Sequence, residues 1–385
     1  MGRDRRTRAE RGFLLITVYL LLPVLFSLIV ATSGQVLADL RATQRQYSAT
    51  QALYLAEAGV DQALVALRAN QNWTDGYWAV PLGTTGTYTV TVSPLGNNRM
   101  RLTAEGQSTV AQMPVSRSID AIAQINPLFR YAMFGRRSVG ISANNFWADG
   151  FDSAQTGGPW HPYSQEQAWW PYDWDAATNS TQNGSIRVEH GDVIYGNLIA
   201  GPEANLDEAI HLHGWISGHK RTARAPLALP PVVIPPGVVN SGPLHVTRPR
   251  SLPGGTYWFD MINIAGHGEL TFTGPATVYV TGNVHIGGRG IVTAGQRARN
   301  LLLYVQGSHT IDFPAPNPDV HPFYGAIYAP DANVILHDGF NGAAIGDTMH
   351  VNSVKDSDPA KFHYDIDLRQ ANLPYTVELL SWSTS

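Results

Sequence analysis

Cysteine is absent from all 385 residues. That excludes disulfides, thiol nucleophiles, cysteine-ligated zinc and iron–sulfur clusters, while leaving the compartment open, since a cysteine-free chain is tolerated on either side of a membrane. Charge is also scarce: Asp, Glu, Lys and Arg together make up 15% of the chain, with a net charge of −4. With no general positive field, nucleic acid is not an expected partner. No H-E-x-x-H, G-x-S-x-G or P-loop pattern occurs, so these metal, acyl-transfer and phosphate-binding chemistries have no foothold in the sequence. Neither a catalytic residue nor a cofactor is expected, and the chain reads as a non-enzyme.

Abundant glycine and proline, 37 and 25 residues, point to many short strands joined by tight turns. Polarity is organised differently at the N-terminus. Arg3, Arg5, Arg6, Arg8 and Arg11 face only Asp4 and Glu10 in a basic leader over residues 1–12. An apolar run from Phe13 to Val30 follows, with no charge until Asp39, long enough to cross a hydrocarbon core of about 30 Å. A basic flank predicts a single-pass membrane helix with its N-terminus cytoplasmic and the bulk of the chain extracytoplasmic. A secretory signal peptide fits less well, because its apolar core is about 7–15 residues and no convincing small-residue cleavage site follows.

Beyond the span, Leu37, Leu40, Tyr47, Leu53, Tyr54, Ala58, Leu64 and Leu67 recur at steps typical of a helix, with charged residues between them. The pattern predicts one long helix that turns amphipathic, kinked locally at Pro23. Alternating runs at 86–92, 100–104 and 115–123, with a turn at Asn97-Asn98, predict a three-strand meander packed on that helix. Helix and meander form one expected module over 13–126.

Residues 1–126 resemble the type IV pilus assembly proteins with a PilX-type N-terminal domain. The likeness rests on the basic leader ending in Gly12, on Phe13-Leu14-Leu15-Ile16, and on Ala52-Leu53-Tyr54-Leu55-Ala56-Glu57-Ala58-Gly59-Val60. It implies cleavage by a prepilin peptidase between Gly12 and Phe13, and pilin-like subunits and the inner membrane as partners. Thr17 stands where major pilins carry glutamate, and threonine cannot supply the buried charge pair that glutamate makes. The expected role is therefore a minor component of a pilus or related fibre, with Thr17, Pro23 and Glu57 as the helix positions that bear on assembly. Later phrases carry the same resemblance: Asp149-Gly150-Phe151-Asp152-Ser153, Tyr324 to Pro330, and Phe362-His363-Tyr364-Asp365 with Leu368.

Residues 127–190 form an aromatic-rich connecting segment. Trp160, Trp169, Trp170 and Trp174 with nearby carboxylates could stack on and hydrogen-bond a surface glycan, or could plug the flank of the next domain. Asp149 and Asp152 could serve acid–base chemistry only if their separation were fixed. From 191 to 385, brief strand phrases end repeatedly on glycine, which predicts a right-handed β-solenoid-like domain, with a β-sandwich as the alternative. A proline-rich stretch over 226–243 interrupts it as an extended arm. The fold class is thus mainly β with one long N-terminal helix. His211 and His213, or His285 and His337, could offer imidazoles to a metal, but no carboxylate is coupled at fixed spacing and no metal site is expected. The functional alternatives are a polysaccharide-binding module and, more remotely, a β-helix lyase or hydrolase using residues such as Asp312, Asp331 and Asp338.

Overall fold

The computed structural model describes residues 4–109, 114–142, 146–157, 174–313, 321–337, 339–352, 361–369 and 375–384, with side chains from residue 18 onward. The chain is mainly β with one long N-terminal helix and divides into two compact units, 1–126 with 377–385, and 127–376.

The first unit is built on the helix Asp4–Ala69, 66 residues that continue through Pro23. At ~1.5 Å per residue it is about 100 Å long. Strands Tyr77–Leu82, Gly86–Gly96, Arg99–Ser108 and Val115–Pro127 form an antiparallel sheet that Tyr375–Thr384 completes. Asn97 and Asn98 turn the chain at φ 51° and 56°. Two consecutive left-handed residues make the tight turn whose twist matches its flanking strands, and asparagine tolerates that geometry.

Helix and sheet meet through small side chains. Ala52, Leu55, Ala56, Val60, Ala63, Leu64 and Leu67 are buried where the helix packs on strands Gly86–Gly96 and Arg99–Ser108, which contribute buried Val90, Leu102 and Ala104. A Cβ on Gly106 would lie 2.0 Å from the Ala52 carbonyl oxygen and 2.6 Å from the Ala56 nitrogen, so the helix backbone rests directly on that strand. The predicted apolar stripe needs correction here. Leu64 and Leu67 are buried, but Leu37, Leu40, Tyr47 and Tyr54 are exposed, because alanine and glycine, not the larger side chains, allow the close approach.

The second unit is a parallel assembly throughout its described ladders. Leu244–Val246 pairs with Ile262–Ile264, then Val284–Ile286, then Thr310–Asp312. A second column stacks Gly255–Phe259, Ala276–Val280 and Leu301–Val305. A third stacks Pro249–Leu252, Glu269–Phe272 and Gly290–Val292. Phe323–Leu336 extends both the first and the second column, and Phe340–Asn352 pairs along it. The hairpin-linked antiparallel strands of an immunoglobulin-like β-sandwich do not occur among them.

Stacking then departs from chain order. Met133–Ser142 pairs along Phe340–Asn352, from Ala344 opposite Met133 to Asn352 opposite Ser142. Ala176–Thr178, Leu198–Ala200 and Lys220–Thr222 continue one column from it, and Ile186–Val188 and Ile210–Leu212 the other. The segment expected to connect two domains over 127–190 therefore supplies rungs of the same sheet, and residues 377–385, expected in the solenoid-like domain, belong to the first unit.

Inside, a file of rings crosses this junction: Phe313, Phe323, Phe340, Phe362, Trp174 and Phe146 follow one another at centroid distances of 4.6–5.8 Å. Outside, the proline-rich stretch runs from Lys220–Thr222 towards Leu244–Val246 and is tied to successive rungs. Asn179 exchanges two hydrogen bonds with the Leu227 backbone, the Tyr328 hydroxyl donates to the Pro230 carbonyl at 2.6 Å, and the Gln306 amide donates to the Val232 carbonyl at 3.0 Å. These side-chain bonds hold the stretch extended until its backbone joins the sheet at Asn240 and Ser241, beside Trp258.

Asp192, in the turn before Val193–Ile194, is buried. Its Oδ1 accepts the Phe146 N–H at 3.0 Å while Oδ2 has no hydrogen-bond partner among the described residues. Burial pushes its pKa up to about 7 from an ordinary value of 3.8. Because the folded value is the higher one, the stabilisation from this carboxyl is complete below pH ~4 and is lost as the pH rises through ~7.

Two outcomes follow. Gly106→Ala should destabilise the first unit by about 1–3 kcal/mol through overpacking, measured by denaturant unfolding of the detergent-solubilised chain. Thermal unfolding should show a lower midpoint at pH 8 than at pH 5, and Asp192→Asn, which removes the ionisation, should shrink that difference.

Candidate functional site: the exposed helix and the polar surface of the parallel sheet

The helix has two halves of different character. From Val18 to Tyr47 every residue is exposed, and from Ser48 the helix is partly buried on the sheet. Its apolar part is long and apolar enough to cross a membrane, and none of that stretch is covered by the other described residues. Within it the hydroxyls of Ser27 and Thr32 donate back to the carbonyls of Val24 and Leu28, at 2.8 and 2.9 Å, so neither leaves a donor unpaired in an apolar setting. The helix accordingly fits a membrane anchor.

A second apolar surface begins where the span ends. Val36, Leu40, Tyr47 and Tyr54 return at steps of four and seven residues on the side turned away from the sheet, and Val65 continues the line. Tyr47 and Tyr54 are 55% and 59% exposed. Such spacing is that of a seam between packed helices. Glu57 is half-buried on the packed half, beside the close-packed Ala56 and Gly59. Gly12, Phe13 and Thr17 fall within the bounds of the helix, their side chains outside the described residues.

The tryptophans separate. Trp160, Trp169 and Trp170 lie outside the described residues. Trp174 is fully buried, edge-on to Phe146 and Phe362 at 5.8 and 5.3 Å. Its ring is part of the interior file and presents no face to a ligand, which corrects its expected place in a sugar-binding surface. A different set of rings lies at the surface instead: exposed Trp147 and Trp215 flank the partly buried Tyr195 in a row on neighbouring rungs, with centroids 5.0 and 5.4 Å apart. Sequence patterning does not single them out, although Val193-Ile194-Tyr195-Gly196 and Trp215-Ile216-Ser217-Gly218 repeat the same phrase one rung apart.

The phrases at 149–153 and 362–368 are brought together. Trp147–Phe151 pairs in parallel with Lys361–Asp365. Asp149 bonds His363 across that ladder, and Asp152 caps the turn that follows by accepting the Ala154 N–H at 2.9 Å. Buried Asp365 accepts the N–H groups of Ser153 and Ala298 at 3.1 and 3.3 Å, and Arg299 lies 3.4 Å from Asp367. Burial raises the pKa of Asp365, opposed by its hydrogen bonds to Ser153 and to the Asp367 backbone. Asp152, Asp365 and Asp367 are committed to backbone and side-chain partners and serve the architecture, whereas Asp149 keeps a partly exposed edge.

The remaining candidates are scattered. Asp312 lies 3.2 Å from His285 and 3.9 Å from His337, whereas His213 sits 3.7 Å from Glu189 on a different part of the sheet. His211 is opposite Arg187 in its ladder. Asp338 is outside the described residues, among which no group of three side chains is placed to hold a metal ion. Asp331 is spent on Arg136 at 3.1 Å, and Arg136 also meets Asp347 at 2.9 Å. A pocket of about 280 Å³ between this pair and the proline-rich stretch, lined also by Asn179, Leu227 and Pro330, therefore contains an arginine whose charge is already matched.

Residues 260–371 match a family described as Domain of unknown function (DUF7305). No curated protein matches the sequence. Among solved structures, the competence-associated pilin ComZ from Thermus thermophilus is similar at 12% identity and a TM-score of 0.29, over 88% of this chain and 97% of that one. The DUF3494 domain of an ice-binding protein from Shewanella frigidimarina is similar at 13% identity and a TM-score of 0.32, over 62% and 99% of the two chains. At such low scores neither likeness assigns a fold or a function to this chain.

Proposed function

We propose that the chain is a minor, pilin-like component of a type IV pilus or related fibre, anchored in the inner membrane by its N-terminal helix and displaying an extracytoplasmic β domain. In this reading the basic leader stays cytoplasmic until a prepilin peptidase cuts between Gly12 and Phe13. The mature helix then packs beside those of other pilin-like subunits. The role is structural, with no catalytic step and no cofactor.

The observation that carries the reading is the exposure of two consecutive apolar surfaces on one helix. The first, from Val18, is what a bilayer would cover. The second, along Val36, Leu40, Tyr47 and Tyr54, extends past the ~20 residues that a bilayer needs, yet remains uncovered by the sheet on the other side of the helix. A single-pass anchor needs only the first. Neighbouring helices of the same kind would use both, and the segment 52–60, which resembles the pilus assembly proteins, is where the helix docks on its own sheet. Thr17 supports a minor role, since it cannot provide the charge pair of a bulk subunit.

The second unit is read as a right-handed β-solenoid: short parallel strands recur in columns, glycines sit at the corners, and each rung covers the apolar face of the next. In the fibre it is available for subunit contact or adhesion.

The N-terminus decides the matter. Mass spectrometry of the chain extracted from cells with an active prepilin peptidase should find Phe13 as the first residue, and Gly12→Val should leave Met1 in place. An uncut wild-type chain in those cells would contradict the reading.

A further inference from the structure

Trp147, Tyr195 and Trp215 come from three separate stretches of chain that become adjacent only in the parallel sheet. Trp147 is opposite Val193, and Val193 opposite Trp215, so the two indoles are two strand spacings apart, about 10 Å at ~4.8 Å each. The Tyr195 ring lies between them, tilted at 51° to one and 72° to the other. Trp147 is 36% exposed and Trp215 51% exposed. Indole rings are highly buried on average, so two that are exposed to this degree beside a partly buried Tyr195 form a surface held open at a cost in hydrophobic free energy.

Beside the row runs a line of hydrogen-bonding groups. Asp149 and Ser217 sit two residues beyond Trp147 and Trp215, on the same face of their strands by the two-residue period. The Trp147 indole N–H donates to Asp149 Oδ2 at 3.1 Å, which fixes the ring, and the other oxygen of Asp149 bonds the buried His363. A carboxylate carries about four lone-pair sites, so Asp149 retains acceptor capacity at its partly exposed side. Ser217 is exposed.

Rings flanked by acceptors and a hydroxyl match a ligand with one apolar C–H face and a polar edge. Three partly covered rings fall short of the ~800 Å² per partner of a stable protein interface. A carbohydrate needs only a platform for its ring faces and polar groups at its rim. We infer that Trp147, Tyr195 and Trp215, with Asp149 and Ser217 at their edge, form a binding platform for a short glycan chain lying across the rungs. It goes beyond the fibre role and does not depend on leader cleavage or helix packing.

The test uses the full chain in a detergent without a sugar headgroup. Probes are soluble tetrasaccharides of β-1,4-glucose, β-1,4-N-acetylglucosamine, α-1,4-glucose and β-1,4-mannose, followed by calorimetry and tryptophan fluorescence. At least one should bind and shift the fluorescence. Trp215→Ala and Trp147→Ala should each weaken it about tenfold or more, with Trp215→Ala unfolding at the wild-type temperature because the ring is half in solvent. Trp215→Tyr keeps a stacking face and should bind within about threefold of wild type. The assignment is overturned if no probe binds, if binding survives both alanine substitutions, or if Trp215→Ala abolishes self-association of a chain that binds no sugar.

Discussion

The second unit depends on one ladder, the parallel pairing of Met133–Ser142 along Phe340–Asn352. Strands of three residues cannot stand alone, and each gains stability only from the rungs above and below. Residues 244–352 build such a stack in chain order; residues 133–222 build another. The ladder makes them continuous, burying the edge that each would otherwise present to solvent. The consequences spread from it. Trp174 has to be inside, because it meets Phe362 where the two stacks join. The buried network of Asp149, His363, Ser153 and Asp365 forms across the same join. The proline-rich stretch has to travel back along the flank, because the chain leaves one stack at Thr222 and begins the other at Leu244. Closing contacts this distant in sequence is slow, so folding of this unit is expected to be limited by that junction.

Much of the chain is legible in its amino-acid sequence. The apolar helix, the meander with its Asn97-Asn98 turn and the glycine-ended strand phrases all come from local periodicity, which sequence records directly. Three features are not legible there. The packed face of the helix is hidden because hydrophobicity identifies apolar residues but not close approach, and Ala52, Ala56, Gly59 and Gly106 make that approach by being small. Rungs within 127–190 are hidden because three residues such as Ala176-Ala177-Thr178 carry too little pattern to declare a strand. The order of stacking is hidden because parallel pairing between residues 133 and 344 leaves no mark on either segment.

The same distinction separates the candidate sites. A tryptophan is informative only once its surroundings are known: Trp174 is interior, whereas Trp147 and Trp215 are aligned and open, though all are equally aromatic in sequence. Asp149, Asp152, Asp312 and Asp331, which invite metal or acid–base readings, are engaged with histidines, backbone amides or arginine. The candidates that stand out among the described residues are surface rather than pocket: a row of rings on the sheet and an apolar face on the helix. Both suit a protein that works by attachment.

The central claim is that the helix face bearing Leu40, Tyr47 and Tyr54 packs on other helices of its kind. Incorporation of a photo-crosslinking phenylalanine analogue at Tyr47 or Tyr54, with Arg45 on a different face as the comparison, tests this in intact membranes. The account predicts adducts at Tyr47 and Tyr54 to a second copy or to another pilin-like subunit, identified by the peptide joined, and few at Arg45. Equal adducts at all three positions, or adducts to lipid alone, would contradict it.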